Sequence, residues 1–281
     1  MKMRKVCTAP MVVMLFLISL ALLAPPAAAD WHGGRALVLY SERSYWPPSD
    51  GWVQHNYKDY KIWNNFSAEF ADQGWSVDFA KHVDAANLSN YDALFVLTPN
   101  EDIPDDEAQA IINWVLDGGQ LVITQDWKGK YANEITEPFG IKFIRGIKGC
   151  TFSYINEFGD HPVTAGLTEV NGTVDGITAR KINVSGSSKE IGWFSNCIGK
   201  HCLLAVNDTA GEGVVVAIGD EWMWSCWRRC CRFNQADNEK LLDNILAYFR
   251  QTCSVPEFTP LRLTIPVLGL LGMVLLLLRR A

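Results

Sequence analysis

Ala93-Leu-Phe-Val-Leu97, then Pro104 through Gly119 at helical spacing, then Leu121-Val-Ile-Thr124: this stretch decides the fold. The two short apolar runs do not alternate with polar residues, so each predicts a strand covered on both faces. Between them, Ala108, Ile111, Ile112 and Val115 form the buried stripe of a helix. Pro104 opens that helix as a first-turn proline and Gly118-Gly119 closes it. Strand, helix, strand in that rhythm is the repeating unit of a parallel sheet with helices on its faces.

Working outward, Ala36-Leu-Val-Leu-Tyr40 predicts another buried strand. An aromatic-rich loop, 41–56, separates it from a helix over 59–73 with Ile62, Phe66 and Phe70 on one face. Residues 76–80 alternate and predict a further strand. Beyond Ile141 the rhythm changes: strand-like pieces at 178–184, 190–194 and 203–206 follow one another without helices, as antiparallel strands at a sheet edge do. Val214-Val-Val-Ala-Ile-Gly219 returns to a buried strand, and 237–250 is an amphipathic helix with Leu241, Ile245, Leu246 and Phe249 inward. The expected fold is α/β: a doubly wound, mostly parallel sheet with an antiparallel edge insertion.

The ends of the chain read as addresses. Lys2, Arg4 and Lys5 precede an apolar run over 11–23, and Ala27-Ala28-Ala29 suits a signal peptidase, which places cleavage before Asp30. Pro25-Pro26 stops any helix there, and the run is short for a membrane span. At the other end residues 265–278 have no polar face and Arg279-Arg280 follow at once, so 263–281 is expected to be a transmembrane helix with a basic tip on the inner side. The expected organisation is a signal peptide over 1–29, an α/β domain over 30–251, a linker over 252–262 and the membrane segment. The formal charge is −6, and loss of residues 1–29, which hold three basic groups and no acid, makes it about −9. An acidic body argues against nucleic acid as a partner.

Pro256-Glu257-Phe258, the apolar helix and the terminal arginines together resemble the PEF-type C-terminal sorting signal of archaeal surface proteins. The resemblance implies cell-surface localisation, a membrane anchor and a membrane-embedded sorting enzyme as partner, which removes the tail. The gap from Thr259 to Thr264 is longer than that pattern has. A second resemblance covers roughly 35–250. Residues 91–97, 106–124, Asp160-His-Pro-Val-Thr-Ala-Gly-Leu167 and Gly211 to Asp220, followed by Asp237-Asn238 and a helix, fall in the order seen in divergent class I glutamine-amidotransferase-like domains. This implies a flavodoxin-like fold. The enzymes of that class carry a nucleophilic Cys on a turn after a strand. Here Leu121-Val-Ile-Thr-Gln-Asp-Trp127 stands in that place, and no Gly-x-Cys-x-Gly or Gly-x-Ser-x-Gly occurs, so the chemistry is not carried over. His161 sits in a turn before Pro162 and reads as structural.

Export gives meaning to two further patterns. Asn-x-Ser/Thr sequons at Asn65, Asn87, Asn171, Asn183 and Asn207 are candidate glycosylation sites. Seven cysteines remain after signal removal, and outside a cell they read as disulfides with one left over. Cys197 and Cys202 flank a hairpin-like turn, and Cys226, Cys230 and Cys231 are near enough to pair locally or with Cys150 or Cys253. A zinc site from Cys197, Cys202, Cys230 and Cys231 with His201 is the competing reading, its spacing only loosely suited.

Ligands of open α/β sheets bind beyond the strand carboxyl ends. Those ends bring together Ser41, Glu42, Asn100, Glu101, Gln125, Asp126, Asp220 and Glu221, and two aromatic loops with Trp46 and Trp52, and with Trp222, Trp224 and Trp227. Exposed rings there suit a carbohydrate or protein ligand, with Trp46, Trp52, Asp126, Asp220, Glu221, Trp222 and Trp224 as binding residues. Alternatively the rings fill a satellite core, and the carboxylates cap helices or hold Ca²⁺ or Mg²⁺. The expected function is a surface-anchored, non-catalytic binding or envelope module with no cofactor. The alternative is an extracellular hydrolase in which Asp126, Asp220 and Glu42 converge, with or without a metal.

Overall fold

Continuous apolar runs become parallel strands here because helices cover both sides of the sheet. The computed structural model describes residues 33–39, 60–99, 101–125, 131–146, 154–172, 179–196, 199–220, 222–224, 226–227, 230–231 and 233–253; residues 60–64, 145, 196, 222, 226, 227, 230 and 231 are described by backbone alone. All lie in one unit, 32–253. Chain order begins β1 (Gly34–Leu39), α1 (Tyr60–Asp72), β2 (Trp75–Ala80), α2 (Ala85–Leu88), β3 (Ala93–Leu97), α3 (Asp105–Leu116), β4 (Gln120–Thr124) and α4 (Asn133–Thr136). It continues with β5 (Ile141–Gly146), β6 (Tyr154–Ile155), β7 (Glu157–Phe158), β8 (Val170–Asn171), β9 (Arg180–Val184), β10 (Lys189–Asn196), β11 (Gly199–Ala210) and β12 (Gly213–Ile218). It closes with β13 (Cys226–Trp227), β14 (Cys230–Cys231) and α5 (Asn238–Cys253).

The main sheet has the order β2-β1-β3-β4-β12-β11-β10-β7. The first five strands are parallel and run 2-1-3-4-5, the flavodoxin-like order, with β12 as the fifth. β11, β10 and β7 then continue it antiparallel. The expected antiparallel edge is therefore present, with one correction. β9 does not join it; it pairs with β5 in a separate two-stranded sheet. Phe143 on β5 and Ile182 on β9 explain this, since both are buried in the core beneath the main sheet.

Alternate residues of each strand feed two cores. Leu37, Leu94, Leu121 and Val215 face Ile111 and Val115 of α3. On the other face Phe95 meets Phe66 and Phe70 of α1, at ring-centroid distances of 6.4 and 5.1 Å. Leu241, Ile245, Leu246 and Phe249 of α5 are buried as the spacing predicts. Pro104 stands one residue ahead of α3 as its cap rather than in its first turn, and Asp105, Asp106 and Glu107 occupy that turn, where the helix dipole favours acids. Gly118 ends α3 at φ +109, a conformation that suits glycine.

Where α1 meets α5, Glu69 is buried beside Asp243 and Glu239, and burial followed by Asp243 pushes its carboxyl pKa up to about 8. The folded state thus holds this proton more tightly than the unfolded chain, whose value is near 4.5. Its contribution is full below the unfolded value and is lost as pH rises toward 8. Glu69→Gln keeps the donor toward Asp243 and removes the charge. Urea unfolding at pH 4 and pH 8.5 is expected to show the variant gaining stability relative to the wild type as pH rises, by on the order of 2 kcal/mol or more.

Candidate functional site

The carboxyl rim of the parallel sheet is closed by a polar latch. Thr98, directly after β3, is buried and has φ +51. A β-branched residue in the left-handed region is strained by about 1–2 kcal/mol and needs a compensating contact. Thr124 supplies it: the Thr98 N–H donates to Thr124 Oγ1 at 2.9 Å, and the two hydroxyl oxygens lie 3.1 Å apart. Gln125, at the end of β4, ties three segments together. Its N–H donates to Ile218 O at 3.0 Å, its Nε2 to Pro99 O at 3.1 Å, and its Oε1 accepts the Ala132 N–H at 3.1 Å. After β12, Gly219 is clasped by its neighbours, with Arg180 N–H donating to Gly219 O and Gly219 N–H to Leu203 O, both at 2.7 Å. Asp220, which follows it, is 2% exposed.

Further groups line the same rim. Glu134 of α4 accepts the Ile103 N–H at 3.2 Å, and burial raises its carboxyl pKa above the ordinary range, with Asp102 and Asp105 adding to the effect. His82, beyond β2, places Nδ1 3.1 Å from Glu107 Oε1, while Glu107 Oε2 accepts the Val83 N–H at 2.9 Å. Neither Thr98 nor His82 stood out in the sequence. A strained Thr and an exposed His have no composition or spacing signature.

The expected ligand-binding residues divide. Asp220 sits at the rim as expected, though buried. Trp224 does not present a ring to solvent, which corrects its assignment to the binding surface: it is fully buried, stacks edge-on against Phe66 at 5.6 Å and donates Nε1–H to Asn238 O at 3.1 Å. The satellite-core reading holds for this ring. Trp46, Trp52, Asp126, Glu221 and Glu42 lie outside the described residues, as does the side chain of Trp222.

Cys202 is a free thiol, contrary to its expected pairing with Cys197. Its side chain is buried, donates to Leu204 O at 3.4 Å, and has its pKa pushed up to about 12, chiefly by burial. The backbone sets Cys226 opposite Cys231 in the β13–β14 ladder. Cys150, Cys197 and the Pro256-Glu257-Phe258 motif lie outside the described residues. Among those described, no group of three or more His, Cys, Asp or Glu side chains is placed to hold a metal ion, and no helix is long and apolar enough to cross a membrane. The expected span over 263–281 is not among them. Of the sequons, Asn87 and Asn183 are exposed. Asn207 is not available to a glycan in the folded protein: it is 4% exposed and its Nδ2 donates to Phe139 O at 2.7 Å.

His161 is structural, as its turn suggested, and it anchors a network that the sequence did not reveal. Its Nδ1 accepts the Val163 N–H at 3.1 Å, so the proton of the ring sits on Nε2, 3.2 Å from Asp208 Oδ1. Lys189 Nζ and Tyr248 Oη also donate to Asp208, each at 2.7 Å. Both imidazole nitrogens are thus occupied, and neither is free to act as a base. The cluster lies beside the amino end of β12, opposite the carboxyl rim, because β11 runs antiparallel. Burial opposes the Asp208 charge, yet the hydrogen bonds from Lys189, Tyr248 and His161 outweigh it and hold the pKa below the ordinary value. Its stabilisation is therefore present above the unfolded value and lost as pH falls through the folded one. Asp208→Asn is expected to cost about 2 kcal/mol at neutral pH and to flatten the acid limb of a stability–pH curve below about pH 4.

No protein-family model matches the chain, and no curated protein matches it. Solved structures share its fold. The mmIFT52 N-terminal domain aligns with TM-score 0.56 and 12% identity over 76% of this chain and 97% of its own. A ThuA-like protein from Bacteroides uniformis aligns with TM-score 0.53 and 12% identity over 80% and 95%. A GMP synthase subunit from Thermoplasma acidophilum aligns with TM-score 0.51 and 11% identity over 78% and 96%. At these identities the likeness establishes the α/β architecture and nothing of the chemistry.

Proposed function

We propose that the α/β domain is a cell-surface-tethered, non-catalytic binding or envelope module on a class I glutamine-amidotransferase-like scaffold. In this reading residues 1–29 export it, 263–281 hold it to the membrane, and Pro256-Glu257-Phe258 addresses it to a sorting enzyme. One observation carries the non-catalytic part. The segment that stands where the amidotransferase class has its nucleophile holds Thr124 and Gln125, and a carboxamide is no nucleophile. Both side chains serve as the latch between strand ends. The fold shared with the ThuA-like and GMP synthase structures supports the scaffold. The apolar ends with their flanking charges support the location.

The test has two arms. Intact-mass measurement of the native protein, with protease shaving of whole cells, is expected to find residues 1–29 missing and the domain accessible from outside. A full-length, protected, cytosolic chain would refute the location. The purified protein is expected not to hydrolyse glutamine or glycosides. Hydrolysis lost in Asp220→Asn, with the fold retained, would replace the binding role by a rim-carboxylate hydrolase.

A further inference from the structure

The connection from β12 to α5 leaves the core at one aromatic anchor and returns at another. Trp224 and Phe233 are both buried and both pack on Phe66, at 5.6 and 5.9 Å between ring centroids. Between these anchors the backbone forms the β13–β14 hairpin, in which Cys226 stands opposite Cys231 and Trp227 opposite Cys230. Trp227 and Cys230 flank a two-residue connection, so theirs is the hydrogen-bonded pair that closes the hairpin. Cys226 and Cys231 then hold the next, non-hydrogen-bonded position. Opposed residues at such a position have Cα atoms about 4.5 Å apart, and a disulfide needs about 4.4–6.8 Å between Cα atoms. Strand residues alternate between faces, so Cys230 falls on the face opposite to that shared by Cys226 and Cys231. Cys202 and Cys253 are free thiols and do not compete for either.

We propose that Cys226 and Cys231 form a cross-strand disulfide that staples the hairpin and, through it, the two aromatic anchors. Cys226, Cys230 and Cys231 are too close in sequence for spacing to choose among them, and the ladder register makes the choice. The bond forms by thiol–disulfide exchange: each thiol gives up its proton, the S–S bond forms, and the two electrons pass to a small-molecule disulfide that leaves as two thiols. The cross-link restricts the unfolded chain and holds together the base of an excursion whose two ends meet on one ring, Phe66. An oxidising exterior would maintain such a bridge, but the pairing does not rest on export, because a redox buffer supplies the same oxidant to the purified chain.

Bridge mapping on the purified full chain tests it, after equilibration with oxidised glutathione, alkylation, and trypsin digestion without reduction. Trypsin cuts after Lys200, Arg228, Arg229 and Arg232, so Cys226 leaves on residues 201–228 and the Cys230-Cys231 pair on 230–232, joined only where a disulfide joins them. The linked pair is expected, with fragmentation placing the bond at Cys226 and Cys231 rather than at Cys202 or Cys230. Cys230→Ser is expected to keep the link and Cys231→Ser to lose it. The wild-type map needs no variant, so it decides the pairing even if a variant fails to fold. The double variant Cys226→Ser/Cys231→Ser is expected to melt about 4–8 °C below the oxidised wild type. Unlinked peptides, a bond at Cys202 or Cys230, a link retained in Cys231→Ser, or a double variant that melts with the oxidised wild type would each overturn the proposal.

Discussion

Phe66→Ala is expected to lower the stability of the domain by about 4 kcal/mol and its melting temperature by about 8–15 °C. Phe66 is fully buried and touches four other rings: Phe70 at 5.9 Å, Phe95 at 6.4 Å, Trp224 at 5.6 Å and Phe233 at 5.9 Å between centroids. Those partners come from α1, β3, the turn after β12 and the segment before α5. Truncation therefore removes the transfer free energy of one aromatic side chain and leaves a cavity that no single element can close by shifting. Phe66→Leu, which refills much of the volume, is expected to recover more than half of the loss. Denaturant unfolding followed by tryptophan fluorescence reads both, because Trp224 borders the cavity. A loss below about 1.5 kcal/mol in the Ala variant would show that the cluster collapses freely and is not the keystone of that face.

Gly219→Ala is the second large effect, expected at about 3 kcal/mol or more despite the addition of a single methyl group. A Cβ there would lie 2.0 Å from Arg180 O and 3.0 Å from Leu203 Cδ2. The first neighbour is backbone and cannot rotate away. It is also held in place, because Arg180 N–H donates to Gly219 O and Gly219 N–H to Leu203 O. Relief requires the start of β9 to separate from the end of β12, which also displaces the adjacent Asp220 at the rim. Gly186→Ala is the matched control: φ is +64 but the space is open, so only the left-handed penalty of about 1 kcal/mol applies. Thermal melts of the two variants are expected to differ clearly, and equal costs would show that backbone conformation rather than close approach governs Gly219.

The parts of the site that were legible were those written in local pattern. Strand ends follow from where apolar runs stop, so Gln125 and Asp220 were placed on one rim from spacing alone. The turn role of His161 followed from the proline beside it. What was not legible depended on partners far away in the chain. Trp224 looked like a loop aromatic because its neighbours in sequence are polar and cysteine-rich, while its neighbours in space are Phe66 and the Asn238 carbonyl. Asn238 itself looked like a helix-start residue. It is fully buried, donating Nδ2–H to Asn171 O at 2.9 Å and to Met223 O at 2.8 Å, and accepting the Asn171 N–H at 2.7 Å. Asp208, Lys189 and Tyr248 gave no sign that they meet His161, since their strand, strand and helix are joined only by the fold.

From the residues alone came the α/β class, the parallel half of the sheet, the helix faces turned to it and the addresses expected at the two ends, because hydrophobic period, turn chemistry and charge flanking are properties of neighbouring residues. The pairing of β9 with β5, the latch at Thr98 and the free thiol of Cys202 came only from the tertiary structure. Each is set by which segments compete for the same buried space, and that competition is settled when the whole chain packs.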